Sequence, residues 1–304
     1  MHQDYIQPNP WSIIEEGFDK DRIKSSESLF SIGNGAMGQR ANFEEHSSGA
    51  TFQGSYIGGV YYPDKTRVGW WKNGYPEYFA KVLNAPNWIG IDLWVDGEQL
   101  DLNTCKKVVD FRRELHMKEG WYKRSFVAIM PNDVEVAIEA TRFLCLDTDE
   151  TGAIQYQIRL LNVDAEVIFL PYLDSGIKNK DSNWDDKFWN TTKITSEKNR
   201  AFIESHTMKT NFKVCTFMHS ELFLDGNKSE IKPTSKKDEL SVGHSYVVDV
   251  KKGQEVTLVK YGGYTVDRNH PADKLIEAAD TVLNEVSSLG FDGLLEEQKK
   301  AWAQ

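Results

Sequence analysis

Trp70, Trp71, Asn73 and Tyr75 lie close together in the segment Val68-Gly-Trp-Trp-Lys-Asn-Gly-Tyr-Pro-Glu-Tyr-Phe79. That segment has neither the 3.6-residue period of a helix nor the alternation of a strand. Flat apolar rings interleaved with Lys72, Asn73 and Glu77 put stacking faces beside hydrogen-bonding groups, which is the chemistry a sugar-binding surface requires. The same rings could instead pin a Gly- and Pro-punctuated loop to a large core, a common way of anchoring surface loops.

Other patterns carry less. Gly33-Asn-Gly35-Ala-Met-Gly38 matches GxGxxG, but a dinucleotide site needs a strand before it, a helix after it and a βαβ unit around it. Antiparallel-type strands follow instead, so the segment reads as a tight glycine turn. The histidines at 2, 46, 116, 206, 219, 244 and 270 show no HxH or HExxH spacing, which leaves a metal site without support. No Ser occupies a G-x-S-x-G elbow. With 46 carboxylates, spacing alone singles out no glycosidase pair. Asn190-Thr-Thr192 and Asn227-Lys-Ser229 fit the glycosylation pattern but need a secretion signal to matter.

Composition narrows the classes. The chain has 304 residues, enough for one large domain or two ordinary ones. Its net charge of −10 argues against a nucleic-acid partner, which requires a basic face. Cys105, Cys145 and Cys215 are odd in number and lack CxxC spacing, against a disulfide framework or zinc site. Cys145 and Cys215 sit in apolar runs and read as buried small hydrophobes. No run approaches the roughly 18 apolar residues of a membrane span. No basic start and apolar h-region mark a signal peptide, so the cytoplasm is the default expectation.

The elements that must position the aromatic segment are mostly strands. Val134, Val136, Ile138 and Ala140 alternate with polar or small residues, as do Ile154, Tyr156, Ile158 and Leu160. Asp96-Gly97, Asp225-Gly226, Lys252-Gly253 and Glu119-Gly120 mark hairpin turns between such runs. The pattern continues to about residue 262 without long helices, which fits an antiparallel sandwich and excludes a βαβ architecture. Lys178 to Thr192, with Trp184, Phe188 and Trp189, reads as a long loop or short helical insertion over one sandwich face. From His270-Pro271 the period changes. Leu275, Ile276, Ala279, Val282, Leu283 and Val286 form an amphipathic helix, with Pro271 in its first turn and Asp273 near its positive end. Gly290 ends it, and Gly293 precedes a second helical stretch, Leu294 to Gln304. The chain stops inside that stretch without a cap, so more protein is expected beyond Gln304. The division is 1–266 for the sandwich and 267–304 for the helical part.

Several separate segments, in order, resemble the N-terminal region of glycoside hydrolase family 65. They are Phe30-Ser-Ile-Gly-Asn-Gly-Ala-Met-Gly-Gln-Arg40, Gly58-Gly-Val-Tyr-Tyr-Pro-Asp-Lys65, the Trp70-Trp71 segment, the Leu115 to Phe126 hairpin and Gln298-Lys-Lys-Ala-Trp302. The family includes phosphorylases of maltose, trehalose, kojibiose and nigerose, and the Trp-Trp segment looks closest to the maltose branch. The resemblance implies a mainly β fold: a large antiparallel sandwich of the galactose-mutarotase-like type followed by linker helices. Those helices would lead to an (α/α)6 barrel, absent here, that carries the catalytic glutamate and the phosphate site. The implied reaction is inverting phosphorolysis of an α-linked glucosyl disaccharide, with inorganic phosphate as co-substrate and no cofactor. This part would be non-catalytic. Its partners would be its own barrel and, in a homodimer, a second copy. Trp70, Trp71, Asn73 and Tyr75 would be its substrate contacts. The remaining readings are a family 65 hydrolase, a free-standing carbohydrate-binding sandwich with Trp70, Trp71, Trp184 or Trp189 exposed, and a mutarotase-like enzyme with a His and a carboxylate converging in a sandwich cleft.

Overall fold

The computed structural model describes residues 5–66, 76–179 and 187–303. Two antiparallel sheets pack face to face. The larger has eleven strands among the described residues. Across it run Ile6–Pro8, Ser12–Glu16, Lys107–His116, Trp121–Ile129, Glu135–Leu144, Thr151–Leu160, Glu255–Val266, Lys213–Leu224, Arg200–Thr207 and Trp189–Glu197, with Asn227–Lys228 folded onto Lys213–Leu224. The smaller sheet has Thr234–Lys237, Ser241–Val250, Ala165–Asp174, Ile91–Val95 and Glu98–Gln99 in that order.

The alternating residues form the core between the sheets. Ile138 pairs with Ile158, and Ala140 with Tyr156, all buried. They meet Leu93, Val95, Val167, Phe169 and Val248 of the smaller sheet in one hydrophobic cluster. Each large apolar side chain removed from water there contributes about 1.5–3 kcal/mol. Three of the four expected hairpin turns, at Asp96-Gly97, Glu119-Gly120 and Asp225-Gly226, join paired strands. Lys252-Gly253 does not, because it carries the chain from Ser241–Val250 of the smaller sheet to Glu255–Val266 of the larger, a tight turn between sheets rather than within one. Residues 180–186 of the expected insertion lie outside the described residues; of Phe188 and Trp189, only Trp189 departs from a loop or helix. Both are buried, and Trp189 opens the edge strand Trp189–Glu197, its indole Nε1 donating to the Asn84 carbonyl at 2.8 Å. Apolar burial and one satisfied indole explain why this stretch joins the sheet.

The helical segment Leu275–Trp302 covers part of the outer face of the large sheet, burying Ala279, Leu283, Val286 and Leu294 against Phe143, Phe217, Val259 and Tyr261. Helix begins at Leu275, so Pro271 is not in its first turn. Pro271 lies in the preceding turn, where its carbonyl accepts from the Lys274 amide at 2.9 Å. Gly290 breaks the helix with φ 71° and ψ 172°, but helix resumes at Phe291, so Gly293 lies inside the second stretch. No helix among the described residues is long and apolar enough to cross a membrane.

Strand pairing brings several connections to one end of the sandwich. They include the turn after His116, the turn after Leu144, the turn 208–212 and the segment after Val266, where the chain passes from sheet to helix. The second helical stretch returns to this end. Gln298 Oε1 accepts from the Leu146 amide at 2.9 Å, and the Trp302 indole donates to the Met117 carbonyl.

Candidate functional site

The glycine-rich motif supplies the first part of the site. Ile32–Gly33 pairs with Met37–Gln39 across a tight turn. Asn34 organises that turn: its Oδ1 accepts from the amides of Ala36 and Met37 at 3.1 and 2.7 Å. Its Nδ2 donates to the carbonyls of Cys145 at 2.6 Å and Asp149 at 2.8 Å, fixing the turn to the end of the large sheet. The motif is thus a turn between strands, as the sequence suggested.

The second motif locks onto the first. The Gly58 amide donates to the Ala36 carbonyl at 2.7 Å. The Arg268 guanidinium, two residues past the last strand, donates to the Gly58 carbonyl. Gly59 has φ 76°, and a Cβ there would overlap that guanidinium. Beside this junction, His270 Nε2 lies 2.8 and 2.9 Å from the two carboxylate oxygens of Glu150, and the Glu150 carbonyl accepts from the Tyr264 amide. A cleft of about 300 Å³ opens there, lined by Gly35, Met37, Gly58, Glu150, Tyr264 and Arg268 among others.

From the same junction springs a two-stranded hairpin, Tyr61–Lys65 paired with Tyr78–Val82. One face is held to the body. Tyr62 packs on Phe188 with ring centroids 4.6 Å apart, and Lys81 lies over the same ring. Lys81 Nζ is 3.1 Å from Asp64 Oδ2, with both side chains buried. Breaking such a pair strands a buried charge, so it fixes the face that turns inward. The other face carries Tyr61, Tyr78 and Val82, all exposed. The root is pinned again where Thr210 Oγ1 donates to the Tyr61 carbonyl at 2.9 Å and Tyr61 meets Phe212 edge-on. In sequence, the aromatic segment falls between the two strands of this hairpin. Trp70, Trp71, Asn73 and Tyr75 lie outside the described residues, as does Trp184.

Sequence reasoning missed a buried ionic cluster. Arg124 Nη2 lies 2.7 Å from Glu44 and 2.6 Å from Glu45. Arg142 Nη1 lies 2.8 Å from Glu44, and the Tyr156 hydroxyl donates to Glu45 at 2.6 Å. All five side chains are buried. Burial would raise the Glu44 pKa, but the charges of Arg142 and Arg124 outweigh it and hold the carboxyl below its ordinary value. Burial, then the neighbouring Glu45 charge, pushes the Tyr156 hydroxyl well above its ordinary value. One signal was available: Arg124 and Arg142 occupy strand positions where the alternation calls for an inward residue. Their partners come from a loop roughly 80 to 100 residues away in sequence, which no local pattern reveals.

The cluster fills the sandwich interior there rather than opening a cleft. The closest His–carboxylate pairs elsewhere are His270 with Glu150, at the sheet end, and His219 with Glu221 at 3.2 Å, near the terminal helix. His46 also stands close enough to Asp92, on the strand Ile91–Val95, for its charge to bear on that carboxyl, and Asp92 lines a separate cleft with Tyr172 and Asp174. Trp189 is buried and so is not an exposed ring for a carbohydrate-binding surface; Trp70, Trp71 and Trp184, the alternatives to it, lie outside the described residues.

Comparison with known proteins agrees with this layout. The sequence pattern of the glycosyl hydrolase family 65 N-terminal domain matches residues 13–304. A maltose phosphorylase from Bacillus subtilis is 36% identical over 304 residues, covering 100% of this chain and 39% of the relative. An α,α-trehalose phosphorylase from Thermoanaerobacter brockii is 28% identical, covering 95% and 38%. A solved structure of a putative kojibiose phosphorylase from the human microbiome superposes with a TM-score of 0.85 at 26% identity, over 98% of this chain and 38% of that one. The chain therefore spans under two fifths of the length of these relatives. With one family pattern running over nearly its whole length and a sandwich that superposes on a family phosphorylase, the chain belongs to the N-terminal domain of glycosyl hydrolase family 65.

Proposed function

We propose that this chain is the non-catalytic N-terminal domain of an inverting disaccharide phosphorylase, with maltose the first substrate to test. The observation that carries the reading is the match along the whole chain to a maltose phosphorylase of which it covers 39%. The protonated glutamate that donates to the glycosidic oxygen would then belong to the barrel beyond Gln304. Phosphate takes the place that water holds in an inverting hydrolase, and as an anion it attacks without a general base. The sandwich, residues 1–266, walls the entrance of the site, and residues 267–304 link it to the barrel. Trp70, Trp71, Asn73 and Tyr75 are the proposed substrate contacts. The hairpin whose strands flank them in sequence supports this, because it is rooted at the end where the chain leaves the sheet.

The test uses the whole protein that contains this domain. It is incubated with maltose, trehalose, kojibiose or nigerose, with and without inorganic phosphate, and β-glucose 1-phosphate and glucose are assayed. Phosphate-dependent glucose 1-phosphate from one disaccharide is the expected outcome and names the substrate. Glucose release indifferent to phosphate would replace the phosphorylase reading with a family 65 hydrolase.

A further inference from the structure

We propose that Arg268 is a positioning residue, holding the hairpin Tyr61–Lys65/Tyr78–Val82 in place at the substrate entrance. The inference rests on the functional reading above. Two observations carry it. The guanidinium donates to the Gly58 carbonyl, at the root of the hairpin, from the segment that joins the last strand to the terminal helix. That same root is wedged from the other side by the glycine turn, where a Cβ on Gly58 would stand 3.0 Å from the Gly35 carbonyl oxygen. Gly59 must lack a side chain both for its φ of 76° and to admit the guanidinium.

The alternative anchors differ in kind. Thr210 bonds the carbonyl of Tyr61, three residues further on and the first of the strand, and the Lys81–Asp64 pair holds the hairpin's inner face to Phe188. Arg268 alone among these ties the root to the segment that leaves the sheet, so it sets the hairpin relative to whatever follows the helix. Lysine can replace one donor to a single carbonyl, and alanine cannot.

The experiment has two readouts. In the whole protein, Arg268→Ala should raise KM for the disaccharide about fivefold with kcat within about twofold, and Arg268→Lys should recover most of the loss, the pattern of a weakened binding contribution. In the 304-residue chain, amide hydrogen exchange across residues 61–65 and 78–82 should quicken about fivefold in Arg268→Ala, with the sheet amides of Glu255–Val266 unchanged. Unchanged KM together with unchanged exchange would overturn the proposal. So would a parallel fall in kcat and sheet protection, which marks a general loss of stability. If the wild-type protein turns over no disaccharide, the phosphorylase reading fails by itself, and the exchange comparison still decides whether Arg268 holds the hairpin.

Discussion

Asp92 shows at the scale of one residue how burial decides a carboxyl's behaviour. It sits on the strand Ile91–Val95, and its Oδ1 is buried with no hydrogen-bond partner among the described residues. Burial pushes its pKa up to about 6, more than the charge of His46 offsets. The nearby Lys260 gives little help, because its own burial drives the ammonium well below its ordinary pKa; its Nζ donates instead to the carbonyls of Gly90 and Tyr172, each at 2.8 Å. For a carboxyl raised on folding, stability is full below the unfolded pKa and falls as pH rises through the folded one. The loss here runs from about pH 4 to pH 6. Asp92→Asn should therefore stabilise the chain at pH 7.5 by about 1–2 kcal/mol, discounted for partial exposure, and leave it nearly unchanged at pH 4. Urea unfolding at the two pH values measures this. Equal destabilisation at both would mean the carboxylate makes contacts that outweigh its burial.

Elements were legible where the cue is local. Alternation located Glu135–Leu144 and Thr151–Leu160, and Asp-Gly pairs located turns, because pleat and turn geometry are set within a few residues. Trp189 was misplaced because an aromatic beside a polar run looks like a loop until its partner strand, Arg200–Thr207, is known. The ionic cluster and the junction at Gly58 and Arg268 were invisible for the same reason, the latter joining residues 210 positions apart. The terminal helix lies between these cases. Its apolar period was readable, but its first residue was set by the turn at Pro271–Lys274 rather than by the proline. Its break at Gly290 falls at φ 71° and ψ 172°, a region open essentially to glycine alone, with free space where a Cβ would stand. Gly290→Ala should therefore cost about 1–3 kcal/mol through the backbone and not through a clash. A fall in the urea midpoint is the expected result. An unchanged midpoint would mean that the two stretches can merge or re-angle without loss.

At the scale of the whole molecule, exposed apolar side chains gather at one end. Trp11 is 53% exposed, and its carbonyl accepts from the Met117 amide; Met117 is itself exposed and bonded to Trp302, the last residue of the helix. Around the hairpin, Tyr61, Tyr78 and Val82 are open, with exposed Met208 in the turn that also holds the Tyr61 carbonyl through Thr210. Both patches lie where the chain leaves the sheet and where the helix returns. Large exposed apolar patches on soluble proteins mark surfaces that are covered in their working state. If this is the domain of a longer phosphorylase, the remaining chain is the natural cover. Hydroxyl-radical footprinting of the 304-residue chain against the whole protein tests that. Trp11, Met117, Tyr61, Tyr78 and Met208 should be labelled several-fold more slowly in the whole protein, since oxidation of such side chains follows their access to solvent. Val163, exposed in the turn after Leu160 at the opposite end of the sheet, stands away from both patches and should label equally in the two. Equal labelling at Trp11 and Tyr61 would show that the following domain docks elsewhere, and the substrate entrance could then not lie beside the hairpin.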